Sequence, residues 1–212
     1  NFQYRITFII LATSTRVKKA GNLQVKKPEV RDAILDSAFA LFSEQGYAQT
    51  TQAQIARRAG VAASSLYVYF DSKLDILFAV YRPWLMKRFD DLEARIGGTG
   101  GSRKRLETIL YALWRDIPAE DNGFVNNLMQ AISNLGPTDN YSRDLLDDCE
   151  TRISRMIADC LPEDRSHLVD ERNLYAHILF MAQDGFAISY KINGPSKRMD
   201  AMVATMCDML LG

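Results

Sequence analysis

The chain has 212 residues and carries 26 basic and 26 acidic side chains, so that its formal net charge at pH 7 is zero. This balance argues against a protein that binds nucleic acid through bulk charge alone. The chain contains only 12 Gly and 6 Pro, and runs of strictly alternating β-branched residues are scarce. Apolar residues recur instead at helical spacing, which favours an all-α fold with a small head and a helical body.

Residues 1–27 form a basic extension with a short apolar run. Residues 1–28 hold six Lys or Arg and no acidic side chain, and residues 6–12 are apolar except for Thr7. The run is too short to span a membrane. A signal peptide is one interpretation, but the segments that follow predict a head that must remain with DNA. Two interpretations stay open: a basic arm that contacts the DNA backbone or minor groove, and an extension that packs by itself or is absent from the native product.

Residues 31–46 predict an amphipathic helix that ends at Gly46. Two short helical patterns follow, at about 52–59 and 63–70, and Gly60 between them suits a tight left-handed turn. Either Thr50 or Thr51 can cap the first of the two helices. In the second, Leu66 and Phe70 are four residues apart and face inward. This spacing is typical of a helix-turn-helix, in which the second helix lies in the major groove of DNA.

Three motifs carry a family resemblance: R-x-x-IL-x-x-A-x-x-LF-x-x-x-GY from Arg31, T-x-x-x-IA-x-x-AGV from Thr51 and LY-x-YF-x-SK from Leu66. Together they resemble the N-terminal domain of the tetracycline-repressor-like (TetR) family of transcriptional regulators. Small side chains let the second helix approach the bases, and Tyr hydroxyls or an ammonium suit phosphate contacts. The expected DNA-contacting residues are Arg31, Thr50, Thr51, Ala62, Ala63, Ser64, Ser65, Tyr67, Tyr69 and Lys73.

The head departs from the usual family pattern in three places. Ala62 replaces a frequent Ser and is a poor helix cap, Ser64-Ser65 replaces a frequent Gly-Thr, and Leu74 replaces a frequent acidic residue. These departures leave the recognised bases undetermined. The charge distribution supports DNA contact at the head: residues 1–80 carry 10 basic and 6 acidic side chains, whereas residues 81–212 carry 16 and 20.

The rest of the chain predicts a helical body. Helices are expected at about 73–96, 102–117, 124–135, 140–161, 173–192 and 198–211. Pro83 predicts a kink or break near Arg82, Ser102 is a candidate cap, and residues 118–123 are expected to form a loop. The glycine-rich residues 97–102 predict a flexible linker and not a phosphate-binding loop, because the Gly-Lys-Ser/Thr ending is missing.

The two C-terminal helices are the most apolar, and the resemblance implies that this pair forms a four-helix bundle with its symmetry mate. A helix that is apolar on nearly every side has to be buried on two faces. The residues expected at this homodimer interface are Tyr175, Leu179, Phe186, Met202, Met206, Met209 and Leu210.

The resemblance also implies that the body binds a small-molecule effector. The candidate lining residues are Trp84, Phe89, Tyr111, Trp114, Phe124, Met129, Met156, His177, Phe180 and Met181. Aromatic residues at helical spacing are more often plain core, and His177 could bond a backbone carbonyl instead of a ligand. The apolar lining favours an uncharged or weakly polar aromatic or acyl effector. Its binding would move the helix that starts near Lys73 and so change the spacing of the two heads.

The sequence offers no catalytic centre. His167 and His177 are not at metal-ligand spacing, and Cys149, Cys160 and Cys207 predict buried thiols in a reducing cytoplasm. Redox sensing by one of these thiols has no further support in the sequence.

The acidic residues Asp147, Asp148 and Glu150 are interpreted as a solvated helix face and not as a metal site. No nucleophile elbow, Walker motif or dinucleotide fingerprint is present, so we expect neither an enzyme nor a cofactor.

We therefore predict an extension at 1–27, a DNA-binding domain at 28–75 and an effector-binding and dimerisation domain at 76–212. The expected function is a cytoplasmic homodimeric regulator, most often a repressor in the family, that leaves a palindromic operator when an effector binds; no membrane is involved. The alternatives are a DNA-binding protein without an effector and a helical ligand-binding protein or enzyme that has lost DNA binding.

Overall fold

A computed structural model describes residues 27–133, 135, 143–169 and 173–212. The basic extension up to residue 26, the predicted helix end at Gly136-Pro137 and the predicted helix start near Asn140 lie outside these ranges. Within them the chain forms helices joined by turns, with no strand, and the predicted all-α fold is confirmed. The helices are α1 Pro28–Gln49, α2 Gln52–Arg58, α3 Ala63–Tyr69, α4 Lys73–Gly97, α5 Ser102–Tyr111, α6 Ile117–Ala119, α7 Phe124–Ile132, α8 Asp144–Ala158, α9 Leu174–Asn193 and α10 Met199–Leu211.

The head consists of α1, α2 and α3 around one apolar core. Ile34, Phe42, Ile55 and Leu66 are at most 2% exposed. Thr51 caps α2 in a full capping box, since its hydroxyl accepts from the Gln54 N–H while the Gln54 side chain accepts from the Thr51 N–H. The predicted left-handed turn is present at Gly60, which has a φ of 68°.

Gly46 bends α1 sharply before its last turn. Its φ of 80° and ψ of 168° lie in a region that is open almost only to glycine. The helical hydrogen bonding resumes after it, and the Thr50 N–H bonds the Tyr47 carbonyl at 3.2 Å. The predicted helix end at Gly46 is therefore a bend, followed by one further turn.

Helix α4 connects the head to the body without interruption, so of the predicted kink or break near Arg82 the break is absent. Pro83 lies inside the helix and removes one backbone donor. Tyr81, Leu85 and Phe89 are at most 2% exposed, and their burial keeps the helix in place on both sides of the proline. The Ser72 hydroxyl caps the start of α4 by accepting from the Asp75 N–H at 3.0 Å.

Helix α5 differs from the prediction at both ends. Gly101 occupies the N-cap position with a φ of 81°, so that Ser102 is the first helical residue and not the cap. At the other end the helix continues through a π-helical turn, Ala112–Asp116, into α6. Pro118 therefore lies in the helix, directly after the π-helical turn, instead of in a loop.

The body is arranged around α9, which packs against α6, α7, α8 and the π-helical turn, while α10 packs against α5. A 3-10 turn, Glu163–Leu168, follows α8. Among the described helices, none combines the length and the apolar character that crossing a membrane would require.

Replacing Gly46 with Ala should lower the free energy of unfolding by about 1–3 kcal/mol, because a residue with a Cβ is strained at this φ and ψ. The added Cβ would also meet the Gln130 Oε1 at 3.3 Å. Urea denaturation measures the effect. Gly97→Ala is the control, since nothing lies within 4 Å of its Cβ and its φ is not positive. Equal stability of the two variants would contradict the strain at Gly46.

Candidate DNA-binding face and effector cavity

The outer face of α3 carries small side chains. Ala62, Ala63 and Ser64 are exposed and Ser65 is half-buried, while Leu66 is fully buried beneath them, on the inward side where it was predicted. Ala62 occupies the N-cap position and makes no side-chain cap hydrogen bond. These small side chains therefore allow a binding partner to approach the backbone of the first turn of α3 closely.

Two tyrosines continue this face. Tyr67 is 58% exposed, and its hydroxyl donates to the Gln52 Oε1 at 3.2 Å, which joins α3 to the start of α2. The Tyr69 hydroxyl accepts from the Lys27 N–H at 2.9 Å and so joins α3 to the start of α1. Arg31 lies next to this point, with its guanidinium 5.6 Å from the centre of the Phe70 ring. Gln52 was not among the residues predicted for this face, because its place in the sequence is typical of an ordinary surface residue.

Three of the predicted DNA-contacting residues hold the head together instead. Thr50 is 1% exposed, and its hydroxyl donates to the Gly46 carbonyl at 2.8 Å. The Thr51 hydroxyl is the α2 cap. The Lys73 ammonium donates to the Tyr47 and Thr50 carbonyls, both at 2.7 Å, and burial lowers its pKa. The prediction that Thr50 contacts DNA is wrong because its side chain is buried, and Lys73 is engaged within the fold.

A cavity of about 500 Å³ lies in the body between α4, α7, α8 and α9. Its wall is mostly apolar, with Phe78 and Leu85 from α4 and Leu145 from α8. Of the predicted lining residues, the structure brings together Phe124, Met129, His177, Phe180 and Met181.

The other five predicted lining residues lie elsewhere. Phe89 is fully buried core and Met156 is 2% exposed beside a different, smaller cavity. Trp84 packs against the core, and the Tyr111 hydroxyl donates to Asp200 at 2.8 Å. Trp114 donates from its indole N–H to the Leu179 carbonyl at 3.3 Å. All five have the same helical spacing as the residues that line this cavity, and the sequence alone does not separate the two groups.

One side of the cavity is polar. The His177 Nδ1 lies 2.5 Å from the Glu150 Oε1, and Glu150 is only 8% exposed. Glu150 is therefore not part of a solvated acidic face as predicted, whereas Asp147 is exposed and Asp148 forms a surface ion pair with Arg82. Because Glu150 accepts a hydrogen bond, the proton of the neutral His177 ring is on Nδ1.

Asp184 and Gln183 also line the cavity, two turns after His177 on α9. Neither side chain was expected there. Burial raises the pKa of Asp184 from 3.8 to about 6. The Gln183 Oε1 is buried without a hydrogen-bond partner in the described part of the chain. Arg143, at the start of α8, is exposed and completes the polar side.

An apolar groove opens on the outside of the body between α9 and α10. It has a volume of about 440 Å³, and Ile178, Phe186, Met202 and Met206 lie along it. The Phe186 ring stacks on Trp114 with 5.2 Å between the ring centres.

The predicted interface residues divide into two groups. Tyr175, Phe186, Met202 and Met206 are half-buried and Met209 is 63% exposed, so all five are accessible to a second chain. Leu179 and Leu210 are each 1% exposed and belong to the core of the single chain, which contradicts their predicted place at the interface. The exposed side chains that the prediction missed are Leu174, Ile178, Met181, Ile188 and Ile192.

Comparisons with known proteins agree with this geometry. Residues 34–80 match the family model described as "Bacterial regulatory proteins, tetR family". The chain is 35% identical over 129 residues to the HTH-type transcriptional regulator HbdR of Aromatoleum sp. (strain CIB), a match that covers 61% of this chain and 55% of that relative. The chain thus spans about half the length of this curated relative. Residues 34–80 therefore form a domain of the tetR type.

Solved structures show the same fold over most of the chain. A regulator from Saccharomonospora viridis in complex with choline has a TM-score of 0.56 and 24% identity, covering 86% of this chain and 96% of that one. The regulator FadR from Bacillus subtilis in complex with stearoyl-CoA has a TM-score of 0.53 and 19% identity, covering 85% and 97%. The tetR family consists of regulatory proteins and not of enzymes.

The three thiols of the chain are buried, as predicted. Burial raises the pKa of Cys149 to about 12 and that of Cys160 and Cys207 to about 11. A thiol reacts through its thiolate, so these cysteines are inert at neutral pH. No group of side chains able to hold a metal ion occurs in the part of the chain that the structure describes.

Replacing Asp184 with Asn should stabilise the protein at pH 7.5 but not at pH 4. The folded state raises the pKa of Asp184 from 3.8 to about 6, so between these values it binds more protons than the unfolded state. Wild-type stability therefore falls as the pH rises from about 4 to about 6 and stays reduced above this range. A shift of this size corresponds to about 3 kcal/mol, and the access of solvent to the cavity reduces the expected gain to about 1–2 kcal/mol.

Urea denaturation of the wild type and of Asp184→Asn across this pH range measures the gain. The control is Asp147→Asn, which removes an exposed carboxyl on α8 and should behave like the wild type. A stability difference that is the same at pH 4 and pH 7.5 would show that Asp184 does not titrate in this way.

Proposed function

We propose that the chain is a homodimeric, sequence-specific DNA-binding transcriptional regulator of the cytoplasm, a repressor that leaves its operator when a small effector binds. The observation that carries the proposal is the exposed face of α3, on a helix-turn-helix of the tetR family. Ala63, Ser64 and Ser65 allow the backbone of α3 to approach the bases, and the Tyr67 hydroxyl is placed for a phosphate.

The groove between α9 and α10 supports the homodimer. Ile178 and Met209 are 59% and 63% exposed, and Phe186 and Met202 lie beside them on a surface that a second copy can cover. Exposed apolar surface of this extent is a common mark of a protein interface. Two-fold symmetry of the pair would place two α3 helices in successive major grooves, about 34–36 Å apart.

The cavity supports an effector with an apolar body. The relatives from Bacillus subtilis and Saccharomonospora viridis are described with stearoyl-CoA and with choline, so related folds accept small molecules of different chemistry. Phe78, Phe124 and Phe180 offer aromatic surface to such a molecule. The alternative, a DNA-binding protein without an effector, does not account for the cavity of about 500 Å³ in the body.

Helix α7 supplies one route from the cavity to the head. Phe124 and Met129 line the cavity from one side of α7. From the other side, the Asn127 Oδ1 accepts from the Tyr47 N–H at 2.8 Å and the Gln130 Oε1 accepts from the Ala48 N–H at 2.9 Å. A shift of α7 on effector binding would therefore change the hydrogen bonds that hold the chain just before α2.

Helix α4 supplies a second route to the same place. Phe78 and Leu85 line the cavity, while Lys73 at the start of α4 holds the Tyr47 and Thr50 carbonyls. Effector binding thus acts on residues 46–50 from two helices. In a repressor, the protein with an empty cavity favours the arrangement of the two heads that fits the operator, and effector binding shifts the population away from that arrangement.

The first test exposes the purified protein to a random pool of double-stranded DNA and sequences the retained fraction. We expect an enriched palindrome with half-sites about one helical turn apart. Tyr67→Phe should weaken binding to it about 3–10-fold and uniformly across sequences, since a phosphate contact sets position and not base preference. Tyr190→Phe on α9 is the control. No enrichment at low salt by a folded dimer would overturn the proposal.

Gln130→Met tests the connection through α7. The variant loses the acceptor for the Ala48 N–H, a bond that contributes about 0.5–1.5 kcal/mol to the position of the head. We expect faster hydrogen exchange at Ala48 and about 2–10-fold weaker binding to the selected operator. Asn126→Ala, on the same side of α7 and without a hydrogen bond to the head, should leave both measurements unchanged. Unchanged exchange and affinity in Gln130→Met would rule out this route.

A further inference from the structure

The acceptor groups of the cavity define the chemistry of its ligand. Asp184 lines the cavity and makes no hydrogen bond or ion pair within the described residues. Gln183, beside it, is 4% exposed, and its Oε1 likewise has no partner there. Asp184 is half-buried, and acceptors withdrawn from water without a donor are costly and uncommon in folded proteins, so both groups call for an explanation.

His177 adds a further polar group to the same side. Its Nδ1–H donates to the Glu150 Oε1, 2.5 Å away. Glu150 contributes a second carboxylate behind the ring. The polar side of the cavity therefore carries the Asp184 carboxylate together with the Gln183 amide and the His177 ring, all from α9.

Arg143 is the one basic side chain on the described cavity wall. It is exposed and forms no ion pair with Asp184. Water already solvates an exposed guanidinium, so an anion gains little by binding it. A cation gains more at Asp184, because it relieves a carboxylate that burial has deprived of water.

We propose that the effector is an amphiphilic amine: an apolar body with one basic nitrogen, whose N–H groups bind Asp184 and its neighbouring acceptors. The apolar body lies against Phe78, Phe124 and Phe180, and the faces of these rings also favour a nearby cation. This inference rests on the proposed regulator function for its biological meaning, but its chemistry depends only on the cavity.

The test compares three probes with one apolar chain and different head groups: n-octylamine, n-octanol and sodium octanoate. Isothermal titration calorimetry with the full chain at pH 7.5 measures each affinity, and no DNA is needed. We expect octylamine to bind at least 10-fold more tightly than octanol, and octanoate to bind most weakly. Tighter binding of octanoate would overturn the proposal in favour of an anion at Arg143, and equal binding of all three would show a cavity without head-group preference.

Asp184→Asn should remove the preference for octylamine over octanol and leave the affinity for octanol unchanged. The unchanged octanol affinity shows that the cavity is intact in the variant. Asp147→Asn, which removes an exposed carboxyl of the same charge, should keep the preference. Retention of the preference in Asp184→Asn would contradict the assignment of this residue.

The affinity for octylamine should also fall as the pH drops below about 6, where Asp184 becomes protonated. Glu150, His177 and Arg143 are the other titratable or charged groups on or next to the cavity wall. Asp184→Asn separates their contribution, because the pH dependence of the octylamine affinity that is lost in this variant is the dependence due to Asp184.

Failure of the amine preference would leave the DNA-binding proposal intact, because operator selection tests that proposal separately. Conversely, an amine that binds through Asp184 without weakening operator binding would support the ligand class and overturn effector-driven release.

Discussion

The short segment that follows Gly46 is the constraint on which the arrangement of the head and the body depends. Gly46 takes backbone angles that other residues avoid, and the bend turns the next peptide groups outward from α1. The N–H groups of Tyr47 and Ala48 then meet α7, and the carbonyls of Tyr47 and Thr50 meet Lys73 of α4. Four hydrogen bonds from the body thus fix the backbone immediately before α2.

This arrangement explains how a cavity in the body can influence a surface in the head. Helices α4 and α7 each have one side on the cavity and another in contact with the bend. A single hydrogen bond of this kind contributes about 0.5–1.5 kcal/mol, and loss of one or two gives a coupling of about 0.5–3 kcal/mol. That range is typical of allosteric proteins, so no large rearrangement of the core is required.

The head could be predicted from the sequence because its determinants are local. The Thr51 cap, the Gly60 turn and the buried Leu66 each follow from a few adjacent residues. The function of Lys73 could not be predicted in this way, since its carbonyl partners lie 23 and 26 residues earlier in the chain. The same limit applies to Thr50, whose burial depends on the packing of α1 against α2.

The effector cavity depends on packing to a greater degree. Trp114 and Phe124 are both aromatic residues at helical spacing among apolar neighbours, yet only Phe124 lines the cavity. Trp114 lies in the π-helical turn, which directs its indole toward α9. The polar side was missed for a different reason. Glu150 belongs to a run of acidic residues that is otherwise exposed, and Asp184 lies in a helix that hydropathy alone assigns to the core.

The retention of Asp184 is itself an argument about function. A half-buried carboxyl without a partner destabilises the folded chain at neutral pH, and Asn or Leu would fill the same place at a lower cost in free energy. Natural proteins keep such local conflicts mainly where a site requires them. Since Gln183 beside it carries a second unpaired acceptor, the conflict extends over one wall of one cavity. A ligand that brings a hydrogen-bond donor and a positive charge to Asp184 would resolve the conflict there, and the energy released would be available to move α4 and α7.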